Sequence, residues 1–177
     1  MSADRKRLLA LLSLAMGLVG MAGNAIGQQA PRTVREQLVG TWTLASFHSV
    51  RQDGSRFDMM GTSPEGMLMY DASGRMSVQI MRTDRLKFAK GNRLEGTPEE
   101  NQSAVPGTIA YHGKYTVNKS ERTVTHHIER SLFPNWDGVD QKRFFTLEGD
   151  ELKLSTPPIP TAGGVTAVGH LVWKRAK

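Results

Sequence analysis

Five polar side chains on three consecutive segments of the chain have the chemistry needed to hold or protonate a small molecule. Each segment alternates apolar residues with other residues, which is the pattern of a β-strand whose successive side chains point to opposite faces. We expect the more apolar face of each strand to point inward, and that choice carries the polar groups inward with it. The predicted ligand-binding set is Tyr111, Tyr115, His126, Gln141 and Arg143.

The predicted chemistry is recognition of an oxygen atom. An inward Arg143 is costly unless it is paired and hydrogen-bonded, so it would attract a carboxylate, an enolate or another acidic head group. His126 can donate or accept a proton near neutral pH, which makes it the one candidate catalytic residue. The two tyrosines would orient an oxygen. Apolar walls with a few convergent polar groups are how small-molecule sites are built.

A filled interior is the alternative interpretation of the same residues. In that case tyrosine, glutamine and backbone carbonyl groups satisfy the Arg143 guanidinium, and no ligand is needed. Small barrels often fill their interiors with their own side chains. The sequence leaves both interpretations open.

Other site chemistries find little support. The chain has no cysteine, which excludes disulfides, thiolate metal sites and thiol nucleophiles. His126 and His127 are adjacent, so on a strand their rings face opposite ways and cannot chelate one metal together. The spacing of the other histidines supports no zinc site, and no Gly-x-Ser-x-Gly motif is present. We therefore predict no metal and no cofactor.

Short strands joined by turns must position these residues. A helical turn is predicted over 33–39, and a capped helix begins at Thr97-Pro98 and runs to about Val105, within an excursion over one barrel end. Eight antiparallel strands in sequence order predict an all-β, up-and-down barrel, because closure removes exposed strand edges. The strands are predicted at 41–50, 67–70, 75–81, 108–117, 123–132, 141–147, 151–154 and 166–174.

Two finer predictions concern side-chain placement. Strict alternation along the first strand puts Trp42, Leu44, Ser46 and His48 on one face of the sheet. Trp136, in a Pro-Asn-Trp turn, is predicted at a barrel rim, where it would gate an opening or, preferably, cap the core.

Residues 1–27 have the pattern of a secretory signal peptide. Three basic residues precede the apolar run 8–22, which is short for a membrane span, and small residues follow it. Cleavage would leave one domain, 28–177, in the periplasm or secreted, with no stable membrane span. Removing three basic residues and Asp4 leaves 20 Lys and Arg against 16 Asp and Glu. Those charges are dispersed, which argues against nucleic-acid binding.

Gly40-Thr41-Trp42 resembles the Gly-x-Trp signature of lipocalins and other calycin barrels. Beyond that triplet, the chain resembles the bacterial and fungal lipocalin-like domain family. The resemblance implies the eight-stranded barrel, and also a structural contact at the closed end, in which Arg175 or Lys174 lies across Trp42 as a cation–π pair. It says little about function. The matching stretches are 38–44, 66–71, 74–80, 111–115, 124–126, 134–136, 141–143 and 171–175.

Three functions are compatible with these patterns. The first is an exported carrier that holds a small hydrophobic, amphipathic or acidic molecule in the barrel. The second is a cofactor-independent isomerase or cyclase, with His126 as acid and base and Arg143 as the anion holder. The third is a plugged barrel that acts as an interaction module through loops 51–65 and 83–107. We favour the carrier; the sequence names neither the ligand nor the oligomeric state.

Overall fold

A computed structural model describes residues 31–161 and 164–177, and the described residues from Arg32 onward form one β-barrel unit. The predicted signal peptide, 1–27, lies outside the described residues. No helix in the described residues is long and apolar enough to span a lipid bilayer.

The described residues form ten strands, two short helices and one turn of 3₁₀ helix. The helices are α1 (Val34–Leu38) and α2 (Pro98–Ala104), and the 3₁₀ turn spans Pro134–Trp136. The strands are β1 (Gly40–Arg51), β2 (Arg56–Phe57), β3 (Glu65–Tyr70), β4 (Arg75–Met81), β5 (Thr108–Asn118), β6 (Thr123–Ser131), β7 (Asp140–Glu148), β8 (Glu151–Ser155), β9 (Ile159–Pro160) and β10 (Thr166–Arg175).

Eight of these strands close into the predicted antiparallel barrel. Each long strand pairs with its neighbour in the chain, and β1 pairs with β10 to complete the cylinder. The two-residue strands β2 and β9 pair antiparallel with β1 and β10, respectively, at one end of the barrel. The up-and-down barrel predicted from the sequence is therefore confirmed, and it places β5, β6 and β7 side by side.

Strict alternation fails in β1, because the register shifts between Leu44 and Ser46. Trp42 and Leu44 point into the barrel, but beyond the bulge the buried residues are Phe47 and Ser49. A bulge inserts an extra residue into one strand and so reverses the faces that follow it. The prediction that Ser46 and His48 share the Trp42 face is therefore wrong.

The barrel end next to α1 is sealed around Trp42. The indole is fully buried, and its Nε1 donates to the carbonyl of Leu38 at 2.9 Å. The Arg175 guanidinium lies over the ring, 4.2 Å from its centroid, and donates to the carbonyls of Val39 and Gln37. The structure thus has the expected cation over Trp42, and it is Arg175; Lys174 instead pairs with Glu151.

The excursion between β4 and β5 contains the predicted capped helix. The Thr97 hydroxyl accepts from the Glu100 backbone N–H, and the Glu100 carboxylate accepts from the Thr97 N–H at 2.9 Å. Arg82 N–H donates to the carbonyl of Gly107, so the two ends of the excursion meet. It leaves and re-enters the barrel at the end away from Trp42, as the antiparallel order of β4 and β5 requires.

Candidate functional site

A cavity of about 390 Å³ lies inside the barrel, toward the end away from the Arg175–Trp42 contact. Its volume is near the lower limit of those typical of small-molecule sites. The walls are mainly aliphatic and aromatic, and include Phe47, Leu68, Val78, Ile80, Ile109, Leu154, Leu171 and Trp173. The polar lining comes mainly from β5, β6 and β7, with Tyr111, His126, Gln141 and Arg143.

Three buried side chains form a hydrogen-bonded chain across the lumen. The Tyr70 hydroxyl is 2.6 Å from His126 Nε2, and the Tyr111 hydroxyl is 2.9 Å from His126 Nδ1. His126 is 2% exposed, and the tyrosines are nearly as well buried. Because both ring nitrogens are occupied by tyrosine hydroxyls, a proton from His126 reaches a ligand in the cavity only through Tyr111.

The environment of His126 favours its neutral form. Burial is the largest cause that holds the His126 pKa well below its usual value; the positive charge of Arg143 is next, and His127 adds to it. Burial also raises the pKa of Tyr70 and of Tyr111, so both phenols keep their protons. The sequence predicted an acid or base that titrates near neutral pH, whereas the geometry describes a neutral imidazole between two neutral phenols.

Arg143 brings a positive charge to the cavity wall without a carboxylate partner. It is half-buried, and it donates to the carbonyl of Lys142 at 2.9 Å and to the Gln141 side-chain oxygen. None of the ion pairs among residues 31–161 and 164–177 includes it, and the nearby Asp140 pairs with His127 at 2.7 Å. An unpaired cation beside apolar walls attracts an acidic group.

Four of the five predicted residues meet at the cavity, and Tyr115 does not. Its hydroxyl donates to the carbonyl of Asp71 at 2.9 Å, and its ring packs on Tyr70 at 4.6 Å. The guanidinium of Arg35 lies 5.8 Å from the Tyr115 ring centroid. Tyr115 thus packs at the sealed end of the barrel, which corrects its placement in the ligand-binding set.

Tyr70, Trp173 and Trp136 were absent from the predicted set. Tyr70 ends β3 and reaches His126 across the lumen, a contact that no sequence spacing indicates. Trp173 follows the inward alternation of β10, a signal that could have found it. Trp136 lines the cavity and meets the Tyr111 ring edge-on at 6.0 Å, so it contacts the site as well as the core.

The filled and hollow interpretations each describe part of the lumen. Trp42, Tyr70 and Tyr115 occupy the sealed end, and the cavity occupies the other. Within the described ranges, no three histidine or acidic side chains converge closely enough to hold a metal ion.

The neutral state of His126 predicts a loss of stability in mild acid. The folded protein protonates this ring at lower pH than the unfolded chain, so stability is complete above about pH 6.5 and falls as the pH decreases below it. We expect a slope of up to about 1.4 kcal/mol of unfolding free energy per pH unit. Urea unfolding at a series of pH values from about 7.5 down to 5 measures this slope. The whole pH range lies above the one in which most carboxylates titrate.

His48 supplies the control for this measurement. Its pKa is also lowered, with burial as the largest cause, but its side chain is partly exposed on the outside of the barrel. His48→Gln should therefore keep most of the slope, whereas His126→Leu should abolish most of it. If the unfolding free energy of His126→Leu still falls with decreasing pH at the same rate, another group is responsible for the pH dependence.

Two comparisons with known proteins bear on this site. A family model described as a lipocalin-like domain matches residues 39–176. A curated protein of Aspergillus oryzae, named 4'-hydroxy-3'-methoxypropiophenone carrier protein ppsC, is 35% identical over 106 residues, which cover 56% of this chain and 96% of that protein. The match to the family model extends over the strands that build the cavity.

Proposed function

The chain belongs to the lipocalin-like domain family, and we propose that it is a carrier that binds a small amphipathic or acidic molecule in the barrel cavity. The observation that carries the proposal is the cavity itself, with apolar walls and one polar region made by Tyr111 and Arg143. That combination buries the hydrophobic part of a ligand and fixes its oxygen.

The name of the related carrier suggests a ligand class. Its stated ligand is an aromatic ring with a phenolic hydroxyl, a methoxy group and a ketone. A molecule of this kind has flat apolar surface for the walls and oxygen atoms for Arg143 and Tyr111. We propose small oxygenated aromatic compounds as the ligands of this chain.

Export remains a proposal that rests on the pattern of residues 1–27 alone. Sequencing the N-terminus of the protein isolated from its own host would contradict it if those residues were present.

Filling the cavity should weaken ligand binding without unfolding the barrel. Ile109 lines the cavity, and Ala110, the next residue of β5, faces outward. We expect Ile109→Trp to weaken binding of 4'-hydroxy-3'-methoxypropiophenone by at least about tenfold, equivalent to ~1.4 kcal/mol. Isothermal titration calorimetry measures this affinity.

Ala110→Trp is the matched control, because it adds the same side chain to the same strand on the opposite face. We expect it to leave affinity nearly unchanged. Equal losses in the two variants would place the binding site outside the barrel, and no binding by the unmodified protein would rule out this ligand class.

A further inference from the structure

The polar region of the cavity offers more hydrogen-bond donors than acceptors. A guanidinium has five N–H groups and accepts none. Arg143 Nη1 donates to the carbonyl of Lys142, and Nη2 donates to the Gln141 side-chain oxygen. Each of these nitrogens has a second N–H that remains available. The Gln141 side-chain oxygen accepts the contact from Nη2, and Asp140 Oδ1 is hydrogen-bonded to His127. The Lys142 carbonyl, the Gln141 side-chain oxygen and Asp140 Oδ1 therefore already take part in hydrogen bonds.

The hydrogen-bonded chain turns the Tyr111 hydroxyl into a further donor. The contact from Tyr70 to His126 is the only side-chain hydrogen bond that the Tyr70 hydroxyl makes to the described residues, and a buried hydroxyl needs an acceptor for its proton. We therefore assign Tyr70 as the donor to Nε2, which leaves Nδ1 protonated and donating to the Tyr111 oxygen. The Tyr111 proton is then available to a ligand.

Trp173 forms part of the wall of the same cavity. Its ring lines the cavity, and its Nε1–H is buried with no acceptor among residues 31–161 and 164–177. A buried N–H without a partner costs free energy. The nitrogen itself exposes no surface to the cavity, so this cost belongs to the packing of the barrel and adds no donor for a ligand.

We propose that the cavity binds an acylphenol as its phenolate, so that the protein lowers the pKa of its ligand. The proposal rests on the proposed carrier function and adds the ionisation state. A phenolate oxygen has lone pairs and no proton, which matches a region of donors, and its charge is opposite to that of Arg143. A para acyl group delocalises this charge and makes the phenol easier to ionise.

The other groups that face Arg143 do not offset this preference. His126 and the tyrosines Tyr70 and Tyr111 face it from β6, β3 and β5 as neutral groups. At the mouth, Lys142 pairs with Glu121, and the Asp140 carboxylate contacts His127 at 2.7 Å and forms no ion pair with Arg143. Apolar walls lower the local dielectric, which strengthens the attraction between the guanidinium and a phenolate.

The ultraviolet spectrum of the ligand tests the proposal, because the phenolate of a 4-acylphenol absorbs at longer wavelength than the phenol. The full-length protein, in excess, is titrated from acid to base with 4'-hydroxy-3'-methoxypropiophenone. We expect the bound phenol to have a pKa at least about one below that of the free compound, equivalent to a tenfold preference for the anion. Arg143→Met should remove the shift, and Arg143→Lys should keep part of it.

Binding of the methyl ether 3',4'-dimethoxypropiophenone distinguishes the carrier function from the ionisation proposal. This test uses the unmodified protein, so it does not require any variant to fold. The ether cannot ionise, so the unmodified protein should bind it about tenfold more weakly than the phenol at a pH above the pKa of the free phenol, where the whole preference for the anion is expressed. If both compounds bind equally and the bound phenol keeps its free pKa, the ionisation proposal fails and the carrier function stands. If neither compound binds, the carrier function fails for this ligand class.

Discussion

Replacing His126 with leucine is expected to lower the free energy of unfolding by about 3 kcal/mol. The substitution removes both ring nitrogens and strands the hydroxyls of Tyr70 and Tyr111, which are 2% and 7% exposed. Each buried polar group left without a partner costs about 1–3 kcal/mol. Tyr111 borders the cavity and can be hydrated there, so most of the loss comes from Tyr70. Chemical denaturation at about pH 7.5 measures it with His126 neutral.

A double-mutant cycle distinguishes this explanation from a simple packing defect. Tyr70→Phe should destabilise the unmodified protein by about 1–3 kcal/mol, because it leaves the buried His126 Nε2 without a partner. The same change should stabilise the His126→Leu protein by a similar amount, because it removes the stranded hydroxyl. If Tyr70→Phe costs the same in both backgrounds, the hydrogen bond between Tyr70 and His126 contributes nothing to stability.

The strand order could be predicted from the sequence because alternation and turn residues are local signals. Short turns such as 71–74 and 148–151 force neighbouring strands to pair, and eight such strands close on themselves. The same local signals put His126 and Arg143 on inward faces, where the structure has them.

The position of a side chain along the barrel axis could not be predicted from the face of the strand that it shares with other residues. Tyr111 and Tyr115 do point to the same side of β5, but four residues of strand separate them by about 13 Å. One hydroxyl therefore reaches His126 near the cavity, and the other reaches the carbonyl of Asp71 at the sealed end. The alternation along one strand predicts the face to which a side chain points, but not how far along the barrel axis that side chain lies.

Local sequence patterns also could not predict contacts between side chains across the lumen. Tyr70 is on β3 and His126 on β6, with β4 and β5 between them in the sheet. Only the curvature of the closed sheet brings their side chains within 2.6 Å. Bulges limit prediction in a further way, since strict alternation puts Arg130 on the face of His126, whereas a register shift turns it outward to pair with His112.

That bulge in β6 makes Gly113 the most constrained glycine of the barrel. Opposite it, β6 skips a residue of the register, and the backbone of β6 is pressed onto the Gly113 Cα. A Cβ at this position would lie 2.0 Å from the carbonyl oxygen of His127 and 2.9 Å from the amide nitrogen of Glu129. Backbone atoms in a paired strand cannot give way as the end of a flexible side chain can.

Gly113→Ala is therefore expected to cost about 4 kcal/mol or more, or to prevent folding, because β5 and β6 must separate to admit one methyl group. The separation would also move His126 away from Tyr111, so any protein that folds should bind the acylphenol more weakly. Gly169→Ala is the matched control: it is also a strand glycine, and its nearest neighbour is the Phe47 ring at 3.3 Å. Thermal and urea unfolding of the two variants compare them, and equal stabilities would show that the close approach of β6 to Gly113 is not a constraint on the fold.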